Sequence, residues 1–403
     1  MKRFFLSTLA VSTLIITSCS NNEELINNVT APATYSFERN GATSVSFSGQ
    51  TTRILMSEEI ISALKNNSFS EAQIDGMYNN TGDNFANAAL NAETSKVVRK
   101  KTAASFDFFG GSADVNVTAD FDGWIAEQVN EVYPNWDGPK AVAGSAGAIQ
   151  EAGGSIRYIN GKGLELNQAF NKGLIGAMMV DQMLNNYISS NILNGFEDAN
   201  DAETLVDGKN YTDMEHDWDE AYGYLFGGAD SANFTTPLNE IGDSDSFLNK
   251  YLGRVNDDAD FAGIAKDIYD ALKLGRAAIV AKNYEIRNEQ AAIIREKVSE
   301  VIGVRAVYYL QQAKAVLEAP GTTDYATAFH GLSEAYGFIY SLQFTRQPNS
   351  NSPYLTRTEV TTILDNIYTN KTNGFWDVTS SELQTASETI AAKFNFTVTE
   401  AGS

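Results

Sequence analysis

The sequence holds two histidines, and each opens the same short pattern. The first copy reads His216-Asp217-Trp218-Asp219-Glu220-Ala221-Tyr222-Gly223-Tyr224, and the second reads His330-Gly331-Leu332-Ser333-Glu334-Ala335-Tyr336-Gly337-Phe338. Histidine, glutamate, alanine, tyrosine and glycine recur at identical spacing, followed by an aromatic. Scarce residues rarely fall into matching patterns by chance, so the copies read as an internal duplication. On a helix, i and i+4 share a face, so His216 with Glu220, and His330 with Glu334, each present an imidazole beside a carboxylate. That pairing suits iron, zinc or manganese, whereas calcium wants more oxygens. If the two helices pack face to face, the four side chains form one ligand set, qualitatively parallel to di-iron bundles. Asp219, found in the first copy alone, would support that set together with Tyr222 and Tyr336.

Three plainer readings compete. The pairs can be ion pairs within each helix, contributing roughly 0.2–0.5 kcal/mol apiece. The Ala-Tyr-Gly portion can be packing, with glycine admitting a neighbouring helix and tyrosine bringing a hydroxyl to a buried group. The duplicated pattern can also mark a symmetric core inherited from two repeats, without function.

The rest of the chain supplies the elements that must position these residues. Residues 31–56 read as extended, with Val45-Ser46-Phe47-Ser48 alternating and Gly41 and Gly49 as punctuation. Helical patterning begins at Ser57, an N-cap followed by Glu58 and Glu59. Further helices are expected near 84–99 and 120–132, and a Gly- and Pro-containing surface loop over 134–163. From Leu164 to Leu193 apolar residues recur at helical spacing, with Asp181 intruding on that face and therefore needing a buried partner. The longest helical signal runs over 261–318, and no proline interrupts it before Pro320. Final helices fit 323–344 and 379–393. Arg276 and Arg305, on apolar faces, are expected to pair with buried acids, Asp181 among them, and Arg53 to do the same. The expected fold is all-α: duplicated, pseudo-twofold helical bundles behind an extended N-terminal segment. One large domain over 34–403 would contain two related halves, approximately 34–255 and 256–403.

The N-terminus carries an address. Lys2 and Arg3 precede a short apolar run from Phe4 to Ile16, the layout of a secretory leader and too short for a stable membrane span. It ends in Ile16-Thr17-Ser18-Cys19, which resembles a bacterial lipobox. That resemblance implies a removable signal peptide at 1–18, lipidation of Cys19 and a lipid-bearing tether over 19–33, with acyl chains anchoring the protein to a membrane. Cys19 is the sole cysteine, so no internal disulfide can form. Glu23 and Glu24 resemble the surface-export signals of Bacteroidetes lipoproteins. Outer-membrane anchoring follows, with cell-surface and periplasm-facing orientations both open. With 51 acidic against 29 basic residues and a net charge of −22, the chain is a poor partner for nucleic acid or anionic lipid.

Several blocks resemble the DUF4856 family of Bacteroidetes lipoproteins. They are Tyr35-Ser36-Phe37-Glu38-Arg39-Asn40-Gly41, Ser48-Gly49-Gln50-Thr51-Thr52-Arg53, Lys162-Gly163-Leu164-Glu165, Gly275-Arg276-Ala277-Ala278-Ile279-Val280 and both histidine blocks. The family carries no established activity. More distantly the arrangement resembles the imelysin (M75 peptidase-like) group, whose duplicated helical bundles carry a Gly-x-His-x-x-Glu motif and are associated with iron uptake. Here the spacing is His-x-x-x-Glu, and Met214 and Ala328 stand where that group has glycine.

Zincin, phosphate-loop and hydrolase-elbow signatures do not occur. Asp243-Ser244-Asp245 and Asn256-Asp257-Asp258-Ala259-Asp260 can ligate calcium, but the second is more simply a capping cluster before a helix. The expected function is an envelope lipoprotein that binds a transition metal or an iron-containing ligand, accessory to an outer-membrane uptake receptor. Its metal ligands would be His216, Glu220, His330 and Glu334, and catalysis is not required. Two alternatives stand beside it. One is a metal-dependent hydrolase of imelysin type, using metal-bound water. The other is a scaffold presenting an aromatic patch near Trp124 and Trp136 to a protein or glycan partner.

Overall fold

The computed structural model describes residues 29–228, 233–321 and 323–403. The leader, Cys19 and the acidic pair Glu23-Glu24 lie outside the described residues. The fold is all-α. A short hairpin, β1 (Glu38–Arg39) and β2 (Ala42–Thr43), turns at Asn40-Gly41 and leads into α1 (Ser48–Leu64). Then come α2 (Glu71–Asn79), α3 (Ala88–Ala92), α4 (Phe106–Phe109) and α5 (Val115–Glu127). A second hairpin, β3 (Gly147–Gln150) with β4 (Ile156–Ile159), pairs Gly147 opposite Ile159. It precedes α6 (Leu166–Leu174), α7 (Ser190–Gly195), α8 (Glu197–Asp201) and α9 (Asp213–Phe226). The remaining elements are α10 (Leu248–Asn256), α11 (Ile264–Val280), α12 (Tyr284–Glu318), α13 (Tyr325–Ser341), α14 (Arg357–Leu364), α15 (Ser380–Ala391) and α16 (Val398–Ala401).

Two helices organise the core. α6 continues through wider turns over Ile175–Val180 and Met183–Tyr187, and nearly every residue from Leu166 to Tyr187 is buried. A helix buried all round is a central element rather than a surface one. α12 has 35 residues, hence a length of about 52 Å, and packs against α10, α11, α13 and α15. Most of the buried apolar residues form one cluster that runs from Tyr35 to Ala401.

The helix expected over 261–318 is two helices, α11 and α12. Lys282 breaks it in the left-handed region, at φ 58°, and Asn283 then caps α12. The extended stretch expected over 31–56 ends early, because α1 starts at Ser48. Ser57 is therefore inside the helix and buried, its hydroxyl donating to the Arg53 carbonyl at 2.7 Å. Burial of Gly49, Gln50 and Arg53 against the rest of the protein overrides the local alternation. The expected helix over 84–99 contracts to α3, and the expected loop over 134–163 contains the β3–β4 hairpin.

The expected arginine–acid pairs need correction. Arg276 does pair with buried acids, at 2.9 Å from Glu215 and 3.1 Å from Asp219. Among the described residues Asp181 meets no arginine. It accepts the backbone N–H groups of Ala104 and Ser105, both at 2.9 Å, and burial pushes its carboxyl up to about 6. Arg305 lies over the rings of Tyr308 and Tyr309, at 4.0 and 4.5 Å, so aromatic faces replace the expected carboxylate. Arg53 donates to the Gly49 carbonyl at 3.1 Å. Trp124 is buried against Phe121 and Tyr340 and offers no exposed patch.

Candidate functional site

Each histidine block sits on a helix whose start is fixed locally. Thr212 accepts the Glu215 N–H while the Glu215 carboxylate accepts the Thr212 N–H, a capping box that starts α9. Asp324 caps α13 by accepting the Thr327 N–H at 3.1 Å.

Both blocks grip the chain just ahead of another helix, and the two grips correspond. Ser46, before α1, donates its N–H to Asp219 at 3.2 Å. Glu165, before α6, donates its N–H to Ser333 at 2.9 Å. The His216 Nδ1 lies 3.0 Å from the Ser46 carbonyl, and the His330 Nδ1 lies 2.8 Å from Glu165 Oε1. Because those partners accept, Nδ1 donates in both rings. In both copies Nε2 stands 3.9 Å from the carboxylate four residues on, Glu220 or Glu334. The glycines correspond too. A Cβ on Gly223 would lie 2.5 Å from the Phe47 Cβ, just before α1, and one on Gly337 would lie 2.5 Å from the Lys172 Cβ, in the second turn of α6, so both glycines admit the gripped segment.

The structure does not gather the four expected ligands into one set. Among the described residues no group of three or more His, Cys, Asp and Glu side chains is placed to hold a metal ion. The first pair is already partnered. His216 stacks on Tyr211 at 4.5 Å, and Glu220 accepts from Gln50 at 2.8 Å. Asp219 is taken up by Arg276 and by the Tyr35 hydroxyl at 2.8 Å, and burial still pushes its carboxyl up to about 6. Tyr222 stacks on Tyr35 at 3.7 Å and donates to the Phe234 carbonyl, while Tyr336 packs edge-on against Trp124 and Tyr368. The cluster Asn256–Asp260 caps helices: the Asn256 side chain accepts the N–H groups of Gly263 and Ala265 at the start of α11.

The second pair is different, because it opens on space. His330 and Glu334 line a cavity of about 450 Å³. Glu334 is buried and holds Lys172 Nζ and the Tyr251 hydroxyl, both at 3.0 Å. Burial works to raise its carboxyl, but Lys172 and then His330 outweigh it and hold Glu334 down at about 2. Around this pair the walls are cationic. Lys65 follows α1, Arg157 comes from β4, Lys172 from α6, and Lys250 and Arg254 from one face of α10. Two carboxylates, Glu58 and Glu334, stand against these five cations. Glu58 is engaged by the Ser246 N–H at 2.6 Å, and Arg157 by Glu151 at 2.7 Å. Among the described residues Lys65, Lys250 and Arg254 have no ion-pair partner. Burial, then Lys172 and Arg254, hold the Lys250 ammonium below its ordinary value. A chain with net charge −22 has thus gathered five cations around one cavity, three of them outside any described ion pair.

The sequence reading missed these cations. Lys250 and Arg254 are visible as an i, i+4 pair, but their convergence with Lys65, Arg157 and Lys172 depends on four elements meeting in space. The family described as a domain of unknown function, DUF4856, matches over residues 32–397. No curated protein and no solved structure matches the chain.

Proposed function

The chain belongs to the DUF4856 family, and we propose that it is an envelope-anchored binding protein that captures an anionic small molecule in the cavity beside His330. The observation that carries this reading is the convergence of five cations on one cavity in a strongly acidic chain. Lys65 and Arg254 are exposed at this cavity and Lys250 is half-buried, so three cations outside any described ion pair raise the local positive potential that draws an anion in. The volume falls within the range of ligand pockets, and amides from Asn167, Gln168 and Asn171 add orienting contacts. Catalysis is not required of such a site.

Removing two of the unpaired cations tests the reading. In calorimetric titrations with citrate and with inorganic phosphate, the Lys250→Gln/Arg254→Gln variant should bind at least about tenfold more weakly than the parent chain, each lost charge contact being worth about 1 kcal/mol or more. No binding by the parent, or equal binding by the variant, overturns the proposal.

A second reading keeps the iron of the sequence analysis. Metal-ligating histidines commonly donate their other N–H to a carboxylate, as His330 does to Glu165, and the Nε2–Oε2 gap to Glu334 faces the cavity. His330 and Glu334 would then cap a metal delivered as an anionic chelate. Ferric citrate should bind more tightly than citrate alone, and His330→Ala should remove that difference. Equal affinity for the two would eliminate this reading.

Location belongs to the same proposal. The lipobox at Ile16–Cys19 supports a lipid anchor in the outer membrane beside an uptake receptor. No described helix is long and apolar enough to cross a membrane. Cys19→Ser should move the full-length chain from the membrane to the soluble fraction, and retention on the membrane would refute lipid anchoring.

A further inference from the structure

The cationic cavity has a neighbour of different character. A second cavity of about 160 Å³ shares Lys65, Arg157, Asn167 and Gln168 with the first. Its remaining walls are Trp136, Ile156, Tyr158 and Glu165. The Trp136 and Tyr158 rings lie flat on one another, with centroids 3.4 Å apart and planes at 5°. Tyr133 braces Trp136 edge-on at 5.4 Å, and the Tyr133 hydroxyl is tied to the Ala63 carbonyl at 2.7 Å. Pairing of β4 with β3 fixes Tyr158 from the other side, opposite Ala148. The aromatic wall is therefore held rigidly, and it adjoins a positively charged chamber through a rim of amides.

Those three surfaces match three parts of one kind of molecule. The face of an aromatic ring is negative and attracts the polarised C–H groups on the flat side of a pyranose. Side-chain amides both donate and accept and a carboxylate accepts, which together serve vicinal hydroxyls. A carboxylate on the sugar supplies the charge that the chamber lacks. From this we infer that the ligand is a short acidic oligosaccharide. One carboxylated pyranose would lie among Lys65, Lys250 and Arg254, and its neighbour would lie across the Trp136–Tyr158 wall. The inference rests on the anion-binding reading and narrows it to a substrate class. A simple inorganic anion makes no use of the aromatic wall. A peptide would want apolar anchor pockets, and among the described residues Ile61 and Ile156 are the sole aliphatic ones lining the two cavities.

The test is a calorimetric comparison on the full-length chain extracted in detergent, with digalacturonic acid, neutral galactobiose, citrate and adenosine monophosphate as probes. Digalacturonic acid should bind at least about tenfold more tightly than any of the other three. Trp136→Ala should weaken its binding about tenfold, the scale of losing one good ring contact. The parent's tryptophan emission offers a readout that needs no variant, since digalacturonic acid should change it and citrate should not. If citrate or the nucleotide binds as tightly as digalacturonic acid, or emission is unmoved at saturation, the carbohydrate inference fails while anion binding stands. If none of the charged probes binds, both fail together.

Discussion

Glu334 sits between Lys172 and His330, with the Tyr251 hydroxyl closing its remaining side. The Lys172 side chain is 5 % exposed, so this carboxylate is what makes its burial tolerable. Glu334→Gln should therefore destabilise the protein by about 3 kcal/mol at pH 7, the usual cost of leaving one member of a buried pair alone. The pH dependence has a definite sign. Glu334 is held at about 2, below its ordinary value of 4.5, so its stabilisation is complete above pH 4.5 and disappears as the pH falls toward 2. Urea unfolding of parent and variant should show the full difference at pH 7 and convergence in acid. A constant gap between pH 7 and pH 2.5 would contradict the assignment. The pairing of each histidine with the glutamate one turn on was legible in the sequence, because helical periodicity alone dictates it. The partners that decide what each pair does were not. Glu165, Lys172 and Ser46 come from distant parts of the chain, and no local rule brings them to a histidine. For the same reason the expected joint metal set was a fair reading of composition that tertiary placement did not assemble.

At the scale of elements, the repeated block works as a clamp on the start of a neighbouring helix, and its glycine sets how close that helix comes. A Cβ on Gly337 would stand 2.5 Å from the Lys172 Cβ and 3.0 Å from the Gly173 backbone nitrogen. Gly331, six residues earlier on the same helix, has nothing nearer than 3.6 Å. Alanine favours a helix interior over glycine by about 1 kcal/mol, so the two substitutions separate propensity from packing. Gly331→Ala should leave stability unchanged or raise it by up to about 1 kcal/mol. Gly337→Ala should lower it by about 1–2 kcal/mol, since overpacking outweighs propensity. Chemical denaturation of both variants decides the matter, and equal effects would show that the close approach is not limiting. The long helices α11 and α12 were visible in the sequence because their apolar repeat spans many turns. The true start of α1 was not, since Val45–Ser48 alternates locally and Gly49 reads as punctuation. What makes Ser48–Arg53 helical is the surface of α9 against which it packs, and that surface lies more than a hundred residues downstream.

For the molecule as a whole, the repeated block suggests two related halves, yet the buried contacts tie those halves together. Glu215 and Asp219, on α9, are 1 % and 0 % exposed; both pair with Arg276 from α11, and Glu215 also pairs with Arg39 at 2.6 Å. The indole N–H of Trp218 donates to the Leu272 carbonyl at 2.8 Å, and the Trp218 ring occupies the space that Gly275 leaves open. From the other side, the Gly176 N–H donates to the Ser341 hydroxyl at 3.1 Å, and Glu165 holds His330. Cutting at the sequence boundary near residue 255 would leave the buried Asp219 without its counter-charge, leave Glu215 with Arg39 alone, and bare the faces of α6 and α9. Each uncompensated buried charge costs several kcal/mol, against a total stability of about 5–15 kcal/mol for a domain. A fragment spanning 34–255 should therefore show no cooperative thermal transition by calorimetry, while the intact chain unfolds in a single one. Adding the 256–403 fragment should restore a transition if the two parts reassemble, because every lost contact is then available again. A fragment that melts cooperatively alone would mean that the continuous core from Tyr35 to Ala401 is two cores in contact. The cationic cavity gives that experiment a functional reading as well. Lys172 and Lys250 lie before the cut, whereas His330, Glu334, Tyr308 and Tyr309 lie after it, so the site exists only in the joined molecule.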